Sequence, residues 1–243
     1  MKSEASSGKP AKIRHIVLDA DDTIWDILPG GIASGLRPLE STQGNELLAE
    51  DFYGADLGFE EKRRGREKPP PTKVKVRLDP TLRETLKKLR AQGIEVSMAS
   101  HNTKEDVLGL LDAFGLTDQF KHLEVGHVEK GRMVENIAKA EGIDPREIIF
   151  VDDSVFNIMD VARTGALALK IGGTCGDIKA IEEIIPLIDL IDQGVEIKLD
   201  HSSCESRQSG YHTTGRDFLD DLDPGILKAM DELDGLFGGG DKE

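Results

Sequence analysis

Residues 16–23 read Ile16-Val17-Leu18-Asp19-Ala20-Asp21-Asp22-Thr23, an apolar run that stops at carboxylates spaced by two. Residues two apart on an extended chain project the same way, so Asp19 and Asp21 are expected to face one cleft at the end of a strand. Two carboxylates aimed at one place repel. Such a pair holds a metal, shares a proton, or divides nucleophile and acid between its members. Similar groups recur downstream. Ser100-His101-Asn102 follows Val96-Ser97-Met98-Ala99, and Lys130 opens a helical stretch. Asp152-Asp153 follows the apolar run Ile148-Ile149-Phe150-Val151, with Asn157 a turn later.

Phosphoryl transfer explains this set. A phosphate monoester is roughly dianionic, and a carboxylate can attack it only when that charge is offset by cations. Mg²⁺ prefers oxygen ligands. Asp19 and Asp152 could supply carboxylate oxygens to it, and Lys130 adds a second positive charge. The Ser100 hydroxyl and nearby backbone N–H groups could bond the transferring oxygens. Asp19 would attack to form an aspartyl phosphate. Asp21 would protonate the leaving oxygen and later activate water.

These residues need a scaffold that brings strand ends together. Ile13–Leu18, Lys73–Leu78, Ile94–Ala99, His122–Val125, Ile148–Val151 and Ala166–Ile171 read as strands. Asp79-Pro80 signals the start of a helix carrying Leu82, Leu86 and Leu89. Asn102 or Thr103 can cap a helix carrying Val107, Leu110, Leu111 and Phe114. Gly131–Ala140, Val155–Arg163 and Ile178–Ile188 read as further helices. Strands alternating with helices imply a parallel sheet covered on both faces, with ligands at the carboxyl ends of its strands. Residues 25–78 interrupt this order without a clear period. They contain Pro29-Gly30-Gly31, a basic cluster at Lys62, Arg63, Arg64, Arg66 and Lys68, and Pro69-Pro70-Pro71. They read as an inserted cap or loop region. The core is expected over 1–24 and 79–200, and 201–243 as an acidic extension with a sparse apolar pattern.

Composition narrows the function. The net charge of −15 argues against nucleic acid or an anionic membrane as partner, so any phosphate site must be built locally. Two cysteines give no disulfide framework, and a reducing cytoplasm is the expected compartment. No apolar run approaches a bilayer span, and residues 1–11 lack the apolar core of a secretory signal.

The order Asp19-x-Asp21-x-Thr23, a strand ending in Ser100, then Lys130, then a strand ending in Asp152-Asp153 resembles the haloacid dehalogenase superfamily. The resemblance covers roughly residues 13–172, apart from most of the insertion. Asp19-Ala20-Asp21-Asp22-Thr23-Ile24-Trp25, Ala99-Ser100-His101 and Phe150-Val151-Asp152-Asp153 with Asn157-Ile158 are most similar to the magnesium-dependent phosphatase subgroup. That subgroup carries an Arg where this chain has His101, and a shorter insertion after the first motif. The resemblance implies an α/β fold with a Rossmann-like sheet, Mg²⁺ as cofactor and an aspartyl-phosphate intermediate. It implies Asp19 and Asp21 as catalytic residues and a loop-positioning role for Thr23. The phosphate-binding set is expected at Ser100, His101, Asn102 and Lys130, and the metal set at Asp19, Asp21, Asp152 and Asp153. The substrate would be a phosphorylated small molecule or a phosphoprotein. A phosphotransferase or mutase of the same superfamily is the alternative enzyme. A phosphoaspartate receiver domain fits less well, because there the lysine follows the accepting aspartate's strand, whereas here Lys130 precedes Asp152. A non-catalytic scaffold would not need the intact set of acids, hydroxyl and lysine.

Overall fold

Ile16-Val17-Leu18 and Ile148-Ile149-Phe150-Val151 have no polar side, and such runs are stable as strands only when both faces are covered. The computed structural model describes residues 12–28, 35–52, 72–172, 176–197 and 199. In it these runs form β1 (His15–Leu18) and β8 (Ile148–Asp152). They pair in parallel at the centre of a five-stranded sheet. The other strands of that sheet are β6 (Glu95–Ser100), β7 (Leu123–Val125) and β9 (Leu167–Lys170), in the order β7-β6-β1-β8-β9. Every pairing in it is parallel.

Side-chain alternation sorts β1 and β8 between two cores. Val17, Ile148 and Phe150 pack with Met133, Val134 and Ile137 of α3 (Lys130–Glu141) and with Ile158 and Val161 of α4 (Val155–Ala162). Ile16, Leu18, Ile149 and Val151 face the opposite side. There they join α1 (Leu82–Ala91), α2 (Lys104–Ala113) and α5 (Ile184–Asp192). Thr103 caps α2, its hydroxyl accepting from the Asp106 N–H.

Residues 25–78, expected as an insertion without a clear period, carry a second sheet. It consists of β2 (Trp25–Leu28), β3 (Leu36–Pro38), β4 (Glu46–Asp51) and β5 (Thr72–Leu78), antiparallel in the order β2-β5-β4-β3. Its inner side chains, Ile27, Leu36, Leu47, Ala49, Val74, Val76 and Leu78, belong to the same apolar core as Leu18 and Val151. Its outer face carries exposed ion pairs, Lys75–Glu46 and Arg77–Asp26, both at 3.0 Å. The sheet is also bonded to the central unit through polar contacts. The Thr42 N–H donates to the Ala113 carbonyl at 2.7 Å, and the Gly35 N–H to the Asp106 carboxylate at 2.9 Å. Arg83 of α1 donates to the Phe114 and Gly44 carbonyls.

One element departs from the sequence reading. A helix was expected over Ile178–Ile188, but Ile178 instead bridges Ile171. The Ile178 N–H bonds the Lys170 carbonyl at 3.1 Å, and the Lys170 N–H bonds the Asp177 carboxylate at 2.7 Å. These bonds hold the chain against the sheet until a 3₁₀ turn at Ile181–Glu183. The helix α5 starts at Ile184 and runs on to Asp192. Pro186 lies in its first turn, where no intrahelical N–H is required. The Lys62–Lys68 cluster, Pro69-Pro70-Pro71 and residues 201–243 lie outside the described residues. No helix among the described residues is long and apolar enough to cross a membrane.

Candidate active site

The sheet register places the acidic residues. Leu18 stands opposite Met98 and Val151, so β1, β6 and β8 end at one level. The Asp19 N–H donates to the Val151 carbonyl at 2.9 Å. Asp19 and Asp152 are both buried, as are Ser100, Asn102 and Lys130. Of these, Asp19, Ser100, Asn102 and Lys130 line a cleft of about 870 Å³, and Asp152 lies behind them against Lys130. The cleft lining includes Asp19, Asp21, Ser100, His101, Asn102, Lys130 and Asp153.

Lys130 is the cation of this floor, with 1% of its surface exposed. Its ammonium donates to Asp19 Oδ1, and to the Ala99 carbonyl at 2.6 Å. Asp152 Oδ2 lies 3.3 Å away. Asp152 also accepts from the Ser154 N–H at 2.8 Å, and from Asn157 Nδ2 at 3.0 Å on each oxygen. Oxygens of Asp19, Asp152 and Asp153 lie within 4.8 Å of one another. Burial pushes the Asp19 carboxyl up to about 7 against the pull of Lys130, with Asp152 adding to the rise. Burial likewise raises Asp153 to about 6, helped by Asp152 and Asp22. Negative charge is thus in excess here. An all-oxygen donor set with surplus charge fits a hard divalent cation such as Mg²⁺.

The expected metal set included Asp21, and the geometry separates it from the other three carboxylates. Its oxygens are held elsewhere: Trp25 Nε1 donates to Oδ1 at 2.8 Å, and Asn102 Nδ2 to Oδ2 at 2.9 Å. The turn that carries it is closed by Ile24 and Trp25 N–H bonds to the Ala20 carbonyl. Asp22 takes a left-handed φ of 53° in this turn. The Thr23 hydroxyl, expected to position the loop, is buried and bonds no group among the described residues, and backbone bonds hold the turn.

Asn102 does more than the sequence suggested. The same amide that holds Asp21 donates to Ser100 Oγ at 2.9 Å, and the Asn102 N–H adds a second bond to that oxygen at 3.3 Å. Ser100 therefore accepts from Asn102 and keeps its own O–H for donation. Asn102 orients both neighbours. His101 is exposed and donates from Nε2 to the Val128 carbonyl at 2.9 Å. Burial and the nearby Lys130 lower its pKa below the usual histidine value. It is a neutral wall of the cleft at pH 7, not a charge clamp.

Residues 13–159 match the family model for haloacid dehalogenase-like hydrolases. The chain belongs to this family. The hydrolase is 31% identical over 156 residues to human magnesium-dependent phosphatase 1, covering 64% of this chain and 76% of that protein. It is 29% identical over 179 residues to a phosphoserine phosphatase of Archaeoglobus fulgidus, covering 63% of this chain and 51% of that protein. Its fold is similar to the crystal structure of a predicted phosphoglycolate phosphatase from Haemophilus somnus, with a TM-score of 0.50 and 18% identity. That likeness covers 73% of this chain and 98% of the other.

Further groups of the hydrolase's site carried no readable signal in the sequence. Trp25 reads from the sequence as a packing residue or a wall of the entrance, and its indole N–H holds Asp21. Helix α3 starts at Lys130 without a cap from its own preceding residue. The cap comes from Asp160 of α4, whose Oδ2 accepts from the Gly131 N–H at 2.7 Å. A Cβ at Gly131 would sit 3.0 Å from that oxygen and 3.2 Å from the Asp160 carbonyl, so a larger residue there would push Asp160 back by a few tenths of an ångström. Arg37 and Phe52 of the second sheet region also line the cleft.

Proposed function

We propose that the hydrolase is a Mg²⁺-dependent phosphatase that cleaves phosphate monoesters through an aspartyl phosphate on Asp19. The observation that carries this reading is the placement of Asp19: a buried carboxylate against Lys130, beside Asp152 and Asp153, with Asp21 held separately in the same cleft. Its relatives named as phosphatases support the same reading.

An Asp19 oxygen attacks phosphorus while the bond to the ester oxygen breaks. Asp21 in its protonated form gives its proton to the departing oxygen. The resulting Asp21 carboxylate then takes a proton from water, and that water attacks the phosphorus of the aspartyl phosphate. Inorganic phosphate leaves and Asp19 is restored. Trp25 and Asn102 keep Asp21 aimed through both steps. Ser100 donates its O–H to a transferring oxygen, and Lys130 offsets charge on Asp19 and the phosphoryl group. Asp19, Asp152 and Asp153 would hold Mg²⁺, which supplies further charge neutralisation when bound.

Residues 25–78 act in this reading as the cap region, whose Gly35, Arg37 and Phe52 line the cleft, and 1–24 with 79–200 as the core. The phosphorylated substrate is a small molecule or an exposed protein side chain, and cysteine usage favours the cytoplasm. The test is hydrolysis of a panel of phosphate monoesters by the purified full chain, with Mg²⁺ and after exhaustive chelation. Metal-dependent release of phosphate is expected. Undiminished release after chelation, or none from any ester, would overturn the reading.

A further inference from the structure

The cleft floor accounts for a transferring phosphoryl group, but the walls above it are acidic. Asp21, Asp22, Glu105, Asp106 and Asp153 all contribute to the lining. Lys130 and Arg37 are the lysine and arginine residues of that lining among the described residues, and Lys130 is buried against Asp19 and Asp152. Arg37 is different. It lies on β3, exposed, with its guanidinium carbon 4.4 Å from the centroid of the Phe52 ring. It makes no ion pair with any described residue, although Glu50 stands across from it on β4. A guanidinium stacked on an aromatic face keeps its N–H edge free for a planar anion.

The surroundings hold this pair in place. The Phe52 N–H donates to the Gly35 carbonyl at 2.9 Å, tying the end of β4 to the start of β3. The Gly35 N–H in turn bonds Asp106 on α2. Leu36, next to Arg37, is buried in the shared core. Arg37 is thus a cation without an ion pair among the described residues, on a strand anchored to the core, in a cleft also lined by five acidic side chains besides Asp19 and in a protein of net charge −15.

We propose that Arg37 is a specificity-determining residue, which selects phosphate monoesters carrying a second anionic group, a carboxylate or another phosphate, away from the reacting phosphate. This rests on the phosphatase reading above. Phe52 lies beneath the guanidinium, and the acidic side chains of the lining discourage a remote anion from binding beside them. Neutral or cationic remote groups gain nothing from Arg37.

The experiment separates binding from turnover. Matched pairs are used: O-phosphoserine against O-phosphoethanolamine, and a sugar bisphosphate against its monophosphate. Binding is measured by calorimetry with Mg²⁺ in the Asp19→Asn protein, which cannot consume the ligand. The doubly anionic member of at least one pair is expected to bind at least about tenfold more tightly, the usual scale for a charge-assisted bond. Adding Arg37→Ala should erase the difference, and Arg37→Lys should restore part of it. The identity of the favoured pair distinguishes carboxylate from phosphate. In the otherwise wild-type protein, Arg37→Ala should raise KM for the favoured ester by a similar factor, and by much less for the member of the same pair that lacks the second anion. Equal affinities within every pair, or a preference that survives Arg37→Ala, would overturn the proposal. Failure of the wild-type protein to hydrolyse any ester would instead count against the phosphatase reading, which the binding data do not decide.

Discussion

The two ends of the central sheet both bury polar groups, but they balance charge in opposite ways. At the amino end, His15 opens β1 and bonds Ser97 Oγ at 2.8 Å. The His122 N–H donates to the same oxygen, and the two imidazoles stack with centroids 6.3 Å apart. Glu141 accepts from His122 at 2.6 Å and Lys121 at 2.8 Å, which holds its carboxyl down at about 2. Burial lowers His15 to about 4, so it is neutral at pH 7. His15, Ser97, Lys121, His122 and Glu141 are bonded to one another there. At the carboxyl end, just past the last residue of the same strand, Asp19, Asp152 and Asp153 crowd one another, with Lys130 as the buried cation between Asp19 and Asp152. One end is settled, and the other holds surplus charge that a cation and a phosphoryl group would relieve. Buried polar residues alone do not mark a site; an uncompensated charge does.

Asp19→Asn should break the reactive end most completely. Turnover is expected to fall by at least about 10³-fold, because the amide cannot form the covalent intermediate. The protein should remain folded by far-ultraviolet circular dichroism. Stability should also lose part of its pH dependence. A carboxyl raised to about 7 in the folded state favours folding at low pH, and that benefit is lost as pH rises through 7. Near-normal turnover by the folded variant would remove Asp19 from the mechanism.

Asp21→Asn should cost less, about 10²–10⁴-fold, the range for loss of a general acid and base. The loss should be greater for alkyl phosphates than for p-nitrophenyl phosphate, whose leaving group needs no proton. Equal losses on both esters would argue against Asp21 as the acid.

A smaller effect is expected from Asp160, which acts on the site through Lys130. Removing a helix cap costs about 1 kcal/mol, so Asp160→Ala should lower kcat by roughly fivefold if that energy is expressed in the position of Lys130. Asp160→Asn retains an acceptor oxygen and should restore most of kcat. Equal kcat in the two variants would leave Asp160 with a structural role alone.

At the settled end, His15→Gln should leave turnover at pH 7.5 unchanged and alter only stability. The folded state resists protonating His15 until about pH 4, whereas the unfolded chain takes the proton near 6.5. Stability from this group is therefore intact above 6.5 and declines as pH falls toward 4, by about 3 kcal/mol in total. The difference between the wild-type and His15→Gln urea-unfolding free energies should change over that window. A constant difference from pH 7.5 to 4.5 would mean that His15 is not held neutral.

The same contrast explains what the sequence revealed. Ile16–Leu18 and Ile148–Val151 have no polar face, so they could only be central strands, and the acids that follow them had to stand at the carboxyl end of the sheet. Lys130 and Ser100 were legible by their order along the chain. The second sheet was not. The strands β2, β3 and β4 are short and one-sided, and Glu46–Asp51 alternates for only part of its length. Their stability comes from the shared core, which no local pattern records. The bond from Asn102 to Asp21, the Asp160 cap and the place of Arg37 depend on contacts between distant segments, and the bond from Trp25 to Asp21 depends on the shape of the turn between them. The start of α5 was misplaced for the same reason: apolar spacing from Ile178 suits a helix, but bonds to Lys170 hold Ile178 at the sheet.

The central claim is a covalent bond from Asp19 to phosphorus. It is tested most directly by acid-quenching the protein during turnover of p-nitrophenyl phosphate with Mg²⁺, then mapping peptides by mass spectrometry. A phosphoryl adduct is expected on Asp19, at higher occupancy in Asp21→Asn, where water is no longer activated, and absent from Asp19→Asn. Continued turnover with no adduct on Asp19 in either the wild-type or the Asp21→Asn protein would contradict it.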